Sequence, residues 1–503
     1  MGLQEEVNDF VKNLLESYEP AKVSKPKGIH DAIWGTNIYY AHEIAVLDSP
    51  LLQRLRHIRQ MGFCYLTYPS ATHTRLEHTL GVMTLAKRYL RTLSQGINLD
   101  RRISQSPNID QDPETGDLSE LRMAALLHDV GHGFFSHGSE VLYEDYSEIE
   151  ELQKKQAYTD CQAHEILSYL IVSCAAFRDW FDEYIINPYP VDIDLDQVGN
   201  MIIGCPPDES KKAFLSEIIN GPLDADKMDY ISRDAYYSGL DLSIDIDHLL
   251  YNIDLFERES TGGFHLVLKD YIPAEQLFFS KAMLYSTVYH HQNARSCEAM
   301  LKGICKYARE TSHNIRPGNT LASPVDFLKI TDNEFLSYSQ TVDDRLRNMI
   351  KGLAHRDLYK RACVINQTTV DNWSQCHQYL LTSNIDSQGS LSELRSQIYD
   401  NLSTPSQREH PEYDIWVDLP QLPPLDENEG AETFVKLGGE IVNIDELFPV
   451  TGWKNAYLDR KWNGHVFCPN DIDLREEVYT ATREVLGQKG IELNERAKGY
   501  TKP

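Results

Sequence analysis

Residues 126–137 read LLHDVGHGFFSH, and no other stretch limits the fold so tightly. Leu121, Ala124, Ala125, Leu126 and Leu127 give the preceding helix an apolar surface that must be buried. His128 and Asp129 follow side by side, with His132 and His137 close behind. An imidazole and a carboxylate pushed into an apolar interior are costly unless something pairs them. A metal ion removes that cost, and imidazole with carboxylate suits Mn, Fe, Zn or Ni. Adjacent residues diverge by about 100° around a helix of roughly 3.6 residues per turn. His128 and Asp129 therefore reach one ion most easily at a helix end, which Gly131 and Gly133 mark.

The rest of the composition narrows the class. The 503 residues carry 48 basic and 76 acidic side chains, a net charge of −28, which argues against nucleic acid as the main partner and against an anionic membrane surface. No apolar run approaches the roughly 20 residues of a membrane span. The N-terminus, MGLQEEVNDFVKNLLESY, is acidic and amphipathic, unlike a signal peptide, and Glu6 breaks the myristoylation pattern at Gly2. Nine cysteines without a CxxC pair suggest free thiols in a reducing compartment, so the expected location is cytoplasmic.

Residues 1–26 read as an amphipathic helix and linker. From 27 to about 315 the apolar periodicity is mostly helical, as in 51–62, 75–93, 118–132 and 163–177. Segment 97–117, with Pro107, Pro113 and Gly116, reads as a loop. GFHLVLK, 263–269, reads as a strand paired with 250–257, and a long helix is expected from Pro273 to about 311. Residues 316–503 form a mixed region. Its Pro-rich acidic segment, 402–431, reads as a linker or surface loop, and hairpins are expected at Gly438-Gly439 and Asn463-Gly464. A final helix is expected over 471–487. The fold class is mainly α, a helical core with a small β-hairpin, plus a mixed α+β C-terminal region.

Two ligands do not complete a site. His78 lies in ATHTRLEHTLGV, on a helix whose other face is Leu76, Leu80 and Val82. Asp226 lies in GPLDADKMDYISRDAYYSG, early in a helix beginning near Pro222. Taken singly, His78 reads as a helix-surface histidine and Asp226 as a first-turn acid favoured by the helix dipole. Together with His128 and Asp129 they would supply two imidazoles and two carboxylates, leaving octahedral positions open for water and substrate oxygens. Asp226, Tyr230, Arg233 and Asp234 fall at helical intervals that can share a face.

These blocks carry a resemblance. His78, then His128-Asp129, then Asp226 resembles the H…HD…D signature of the HD-domain metal-dependent phosphohydrolases. LLQRLRHIRQMG, ATHTRLEHTLGV, LLHDVGHGFFSH and LDADKMDYISRDAYYSG, in that order, are similar to the blocks of its dNTP triphosphohydrolase branch, vertebrate and bacterial. The resemblance covers about residues 27–310. Fewer than 30 residues precede it, so no sterile-alpha-motif domain is expected ahead of it.

The resemblance implies roles residue by residue. His78, His128, Asp129 and Asp226 would hold a divalent metal (Mn, Fe, Zn or Mg), with Mg on the substrate phosphates. His164 would be the catalytic histidine, supported by Glu140 or Glu165, and His132 and His137 would line the triphosphate site. Arg75 and Lys227 would contact phosphates. Tyr230, Asp234 and Tyr289 would hold the sugar, with Gln60 and Met61 beside it. Water attack at the α-phosphorus would release deoxynucleoside and intact triphosphate, with His132, His137 and His164 as the groups to stabilise charge or supply a proton. Lys27, Asp48, Gln53 and Arg56 align with an activator pocket for GTP or a dNTP, which implies a homo-oligomer, dimer or tetramer. Their plainer reading is a helix surface with interface salt bridges. Lys281, Tyr285, His290 and Met61 depart from the vertebrate pattern and bear on base and sugar preference. The alternatives are another HD phosphohydrolase, acting as a nucleotidase or as a phosphodiesterase on nucleotides or nucleic-acid ends, and a nucleotide-sensing HD protein without turnover.

Overall fold

A computed structural model describes residues 2–99, 109–205, 212–242, 244–258, 262–341, 343–382, 388–420, 433–449, 452–453 and 460–499. The fold is mainly α with three small sheets. It divides into two units, each discontinuous in sequence. The first comprises Met1–Leu284, Ser323–Asn333 and Glu427–Pro449, and the second holds Tyr285–Ala322, Glu334–Asp426 and Val450–Pro503. The chain passes from the first unit to the second at Leu284/Tyr285 and returns to the first twice, at Ser323 and Glu427.

The first unit is built on three helices, Arg75–Leu99, Asp117–Leu127 and Ala225–Ser238, the first packed against both others. Leu85, Ala86, Leu90, Ala124, Leu126, Met228 and Ile231 are fully buried there. Helix Ala163–Ser173 joins them through Leu195–Ile202, burying Ile166, Leu167 and Ile171. The N-terminal helix Leu3–Leu15 buries Leu3, Val7, Phe10, Val11 and Leu15, one stripe at three- and four-residue intervals. Strands Ile253–Arg258 and Gly263–Leu268 pair antiparallel, as the sequence predicted. Phe434–Leu437 adds in parallel beside the second of these, and Glu440–Asn443 closes the hairpin turned by Gly438 and Gly439, both at positive φ.

The second unit centres on a three-stranded sheet in which Gly464–Cys468, wholly buried, lies between Lys360–Ile365 and Trp416–Asp418. Helix Ile472–Gln488 covers it with Leu474, Val478, Ala481, Val485 and Leu486.

Several expectations need correction. Residues 51–62 form a short helix, Pro50–Gln53, and a 3-10 turn, Arg54–His57, after which the chain extends. Backbone bonds from Gln60 to His73 and from Arg75 to Ile58 compete there with helix continuation. The helix expected over 118–132 stops at Leu127. The one expected to run from Pro273 to about 311 is Ile272–Leu284, a π-turn over Tyr285–Tyr289, and a separate helix Gln292–Thr311 whose start His291 caps. Asn463-Gly464 turns no hairpin, because Gly464 opens a central strand that pairs on both sides. Part of the Pro-rich segment is structured. Pro405 sits in the first turn of helix Thr404–Glu409, where its missing N–H costs nothing, and Ser403 caps that helix. Residues 421–431 of that segment, and 100–108 of the expected loop over 97–117, lie outside the described residues. No described helix is long and apolar enough to cross a membrane. The nine cysteines are all unbridged.

Candidate metal centre and active site

His128 occupies the C-cap of helix Asp117–Leu127, so the chain turns away just as the His-Asp pair begins. That turn brings both side chains to one point. His78 comes from helix Arg75–Leu99, and Asp226 from the first turn of Ala225–Ser238, whose N-cap is Asp224. The four converge. His78 Nε2 lies 2.8 Å from Asp226 Oδ1 and 3.7 Å from Asp129 Oδ2, while His128 Nε2 lies 3.5 Å from Asp129 Oδ1 and 3.9 Å from Asp226 Oδ1.

The donor set fits a divalent cation. The Nε2 atoms of His78 and His128 are buried, face carboxylate oxygens, and make no hydrogen bond of good geometry. Two acids held this close repel one another unless a cation sits between them. Burial pushes the Asp226 carboxyl up, but the neighbouring His78 imidazole holds it below the ordinary range. Burial disfavours charge on His78, yet Asp226 and Asp229 draw its pKa up to about 10. This demand for positive charge is what a metal ion would meet.

A second layer fixes the ligands. His78 Nδ1 lies 2.7 Å from Asp229 Oδ2, so its other nitrogen is aimed at the cluster. Asp229 is clamped by Arg233 through Nε at 2.8 Å and Nη2 at 2.9 Å, and by Trp34 Nε1 at 2.5 Å. Arg233 also reaches Asp31 at 2.9 Å. Arg233, seven positions after Asp226 on the same helix, therefore serves this layer. His128 Nδ1 donates to the Ala125 carbonyl at 2.8 Å. The guanidinium of Arg54 donates to the carbonyls of Val130 and His132, pinning the HDVGH loop from outside. Phe135 N donates to Asp332, whose segment returns from far along the chain. Phe135 and Ser136 adopt positive φ, 55° and 53°, a strained conformation held by these contacts. None of Asp229, Arg54 or Asp332 was singled out from sequence. The spacing of Asp229 from Asp226 and Arg233 was a readable signal, whereas Arg54 and Asp332 act only through tertiary contacts.

Beside the ligand cluster lies a second one of His132, His137, Glu140 and His164. His132 links them. Its Nε2 is 3.3 Å from Asp129 Oδ1, and its ring stacks on His164 with centroids 3.8 Å apart. Burial, then the charges of Arg75 and His164, push the His132 pKa well down. Glu140 bridges the two remaining imidazoles, at 2.6 Å from His164 Nδ1 and 2.7 Å from His137 Nδ1. Burial works against charge on His164, but Glu140 raises its pKa to about 9, and burial of Glu140 is more than offset by its two imidazoles. Glu165 turns elsewhere. It accepts from Gln162 N at 2.7 Å and Asn220 Nδ2 at 2.8 Å, so Glu140 alone orients His164.

Arg75 is buried, with Nη1 2.9 Å from Asp129, Nε 2.9 Å from Ser136 Oγ, and Nη2 unpartnered; its partner is Asp129, not Glu77. Lys227 bends back to Asp224 Oδ2 at 2.7 Å and the Gly221 carbonyl at 2.8 Å. Asp234 is buried and lies 2.7 Å from His73 Nε2. Gln60 N bonds the His73 carbonyl at 3.0 Å, which sets Gln60 and buried Met61 near Asp234. Tyr230 is half-buried on the Asp226 helix. Tyr289 ends the π-turn of the second unit, 4.9 Å from the ring of Tyr285. Away from the metal cluster, Lys27 Nζ approaches Asp48 at 4.0 Å, Gln53 Nε2 donates to the Leu47 carbonyl at 2.8 Å, and Arg56 Nε donates to Gln53 at 2.6 Å.

A family model described as HD domain matches residues 75–233, and one described as HD associated region matches residues 244–496. The chain is 26% identical over 456 residues to an uncharacterized protein of Methanocaldococcus jannaschii, covering 90% of this chain and 81% of that protein. It is 27% identical over 350 residues to the deoxynucleoside triphosphate triphosphohydrolase SAMHD1 homolog of Dictyostelium discoideum, covering 68% of this chain and 61% of that one. The deoxynucleoside triphosphate triphosphohydrolase SAMHD1 of Bos taurus is 27% identical over 363 residues, 66% of this chain and 58% of its own. The chain thus spans less than two thirds of the length of both triphosphohydrolases. The HD-domain match opens on Arg75 and closes on Arg233, so the whole ligand cluster and its second layer of Asp229 and Arg233 fall inside it. With the HD associated region covering half of its length behind that domain, the chain belongs to the HD-domain hydrolase family.

Proposed function

We propose that the protein hydrolyses deoxynucleoside triphosphates to deoxynucleoside and intact triphosphate with the help of a divalent metal. One observation carries this reading. The ligand cluster of His78, His128, Asp129 and Asp226 is joined through His132 to an imidazole–carboxylate pair, His164 and Glu140, poised for acid–base work. A divalent ion held by the four would supply Lewis-acid charge at the phosphate under attack. Arg75 adds a buried cation whose free Nη2 can meet a phosphate oxygen. Lys227 releases its contacts with Asp224 and the Gly221 carbonyl to do the same. Glu140 keeps His164 protonated, and His164 gives that proton to the 5′-oxygen as its bond to the α-phosphorus breaks. His132 and His137 hold the triphosphate. Tyr230 and Asp234 take the sugar, and Gln60 and Met61 line its edge.

Lys27, Asp48, Gln53 and Arg56 are a paired, exposed group on the first unit. In the same reading this group receives an activating nucleotide, GTP or a dNTP, and its occupancy drives homo-oligomer assembly. Size-exclusion chromatography with and without these nucleotides tests this. An unchanged elution and a flat rate response reject activation.

The decisive assay incubates the pure protein with each dNTP and NTP plus Mn or Mg and resolves the products. Triphosphate with free deoxynucleoside is the expected result, whereas monophosphate or orthophosphate rejects the reading. The variant His164→Ala is expected to lose turnover by about 10²–10⁴-fold while keeping its metal by elemental analysis. Full activity in that variant removes the acid role.

A further inference from the structure

In the second unit, a cavity of about 470 Å³ is lined by Arg361, Asn366, Thr368, Thr369, Arg496 and Lys498. None of these is an acid, in a chain whose net charge is −28. The fold assembles them from two distant stretches. Residue Lys498 bridges antiparallel to Cys363, and Gly499 N bonds the Ala362 carbonyl at 3.0 Å, which lays the segment of Arg496 and Lys498 along strand Lys360–Ile365. Arg475 ties the same two stretches together, donating to the carbonyls of Arg361 at 2.9 Å and Gly499 at 3.2 Å. Four cations are thereby concentrated at one edge of the sheet.

The charge of Arg361, Arg496 and Lys498, the three that line the cavity, is poorly compensated. Among the described residues no carboxylate pairs with Arg361 or Arg496, and the one carboxylate beside Lys498 is the exposed Glu495, at 3.4 Å, while its ammonium also lies over the Tyr479 ring, 5.3 Å from the centroid. Burial, then the nearby charge of Arg475, pulls the Arg361 guanidinium below its ordinary pKa. Clustered like charges destabilise the fold unless a bound anion offsets them. The threonine hydroxyls and the Asn366 turn complete a polar wall: Asn366 Oδ1 accepts from Thr368 N at 2.8 Å and Thr369 N at 3.2 Å. The volume is that of a small-molecule pocket, which lies in the range of roughly 300–1,000 Å³.

We infer that this cavity binds an oligophosphate group, free or carried by a nucleoside, at a site separate from the metal cluster of the HD domain. The inference does not depend on the proposed activity. It stands on the uncompensated guanidinium groups and on the cavity they line.

Calorimetry on the full chain, metal-free in EDTA, tests it with sodium tripolyphosphate and with a non-hydrolysable deoxynucleoside triphosphate. The double variant Arg361→Gln/Arg496→Gln is expected to lose one class of binding equivalents, or weaken it by about tenfold or more, since both side chains would give up a charged hydrogen bond to the anion. The variant Arg75→Gln should keep that class. Arg496→Gln/Lys498→Gln, which leaves the half-buried strand residue Arg361 in place, repeats the test should the first variant unfold. If tripolyphosphate binds as well as the nucleotide analogue, the ligand is the oligophosphate alone; if the analogue binds tighter, the nucleoside contributes. Unchanged binding of both probes to the two double variants overturns the inference. Hydrolysis of dNTPs is expected to be the same in these variants as in the parent protein, so a failed activity assay leaves this result standing.

Discussion

Glu140 places one carboxylate oxygen 2.6 Å from His164 Nδ1 and the other 2.7 Å from His137 Nδ1. One buried charge therefore orients two imidazoles, of which His164 is buried and His137 exposed.

The first prediction follows from that charge. The folded His164 pKa, about 9, is raised above its ordinary value of about 6.5, so the imidazolium persists at neutral pH and is lost as pH rises through about 9. A rate that needs the proton should fall on that alkaline limb. The variant Glu140→Gln removes the raising charge and should move the limb down by one to two pH units, by about the loss of one close ion pair. Profiles of kcat against pH for both proteins decide it, and superimposable alkaline limbs would refute the pairing.

Asp229 never touches the four-residue ligand set's open side, yet it fixes His78. Substitution Asp229→Asn should lower metal affinity by about 10–100-fold, the usual cost of losing a carboxylate behind a ligating histidine. Competition with a metal-binding dye gives the affinity. Unaltered affinity would mean that Arg233 and Trp34 hold His78 without Asp229.

Gly131 lies where the HDVGH loop touches helix Ala163–Ser173, which carries His164. A Cβ there would stand 2.1 Å from the His164 carbonyl oxygen and 2.6 Å from Ser168 N, both backbone atoms with little room to yield. Gly131→Ala should therefore cost about 1–3 kcal/mol of stability and separate the metal cluster from His164. At Gly133 the closest atoms are 3.0–3.2 Å away, so Gly133→Ala should cost less. Thermal melts of the two variants rank them, and equal losses would contradict the geometry.

The second unit carries a pH liability. Burial lowers the pKa of His465 to about 4 and that of His290 to about 3. Both lie below the unfolded value of about 6.5, so the folded state gains from neutral imidazoles above that pH and loses this gain as pH falls toward 4. The loss should be on the order of 2–3 kcal/mol for each histidine, visible as a falling melting temperature between pH 7 and 4.5. His465→Gln should flatten part of the slope. A melting temperature independent of pH over that window would show that these histidines stay solvated.

The metal cluster was readable because its cost was readable. Two glycines after an apolar helix, with His128 and Asp129 between, demand a partner that a lone helix cannot supply. The helical core followed from periodicity, and the Gly438-Gly439 hairpin from its turn residues. What escaped depends on contacts across the chain. Arg54 looks like a surface arginine until its carbonyl partners are known. Glu165 sits next to His164 in sequence but is turned away by its own cap. The break at Tyr285–Tyr289 carries no proline or glycine to announce it, and Gly464 reads as a turn although neighbours on both sides make it a strand.

The HD loop is closed by Asp332, which accepts from Phe135 N at 2.7 Å and Arg59 N at 2.9 Å across 197 and 273 positions of sequence. During synthesis the ribosome releases His78, His128, Asp129 and Asp226 before it releases this latch. A nascent chain that has not yet exposed Asp332 leaves the amide of strained Phe135 without its acceptor, while Ser136 N keeps its own, the Gly133 carbonyl. Maturation of the HD loop thus waits on translation of a distant segment, and a fragment ending near residue 315 would carry all four side chains of the cluster without this fastening.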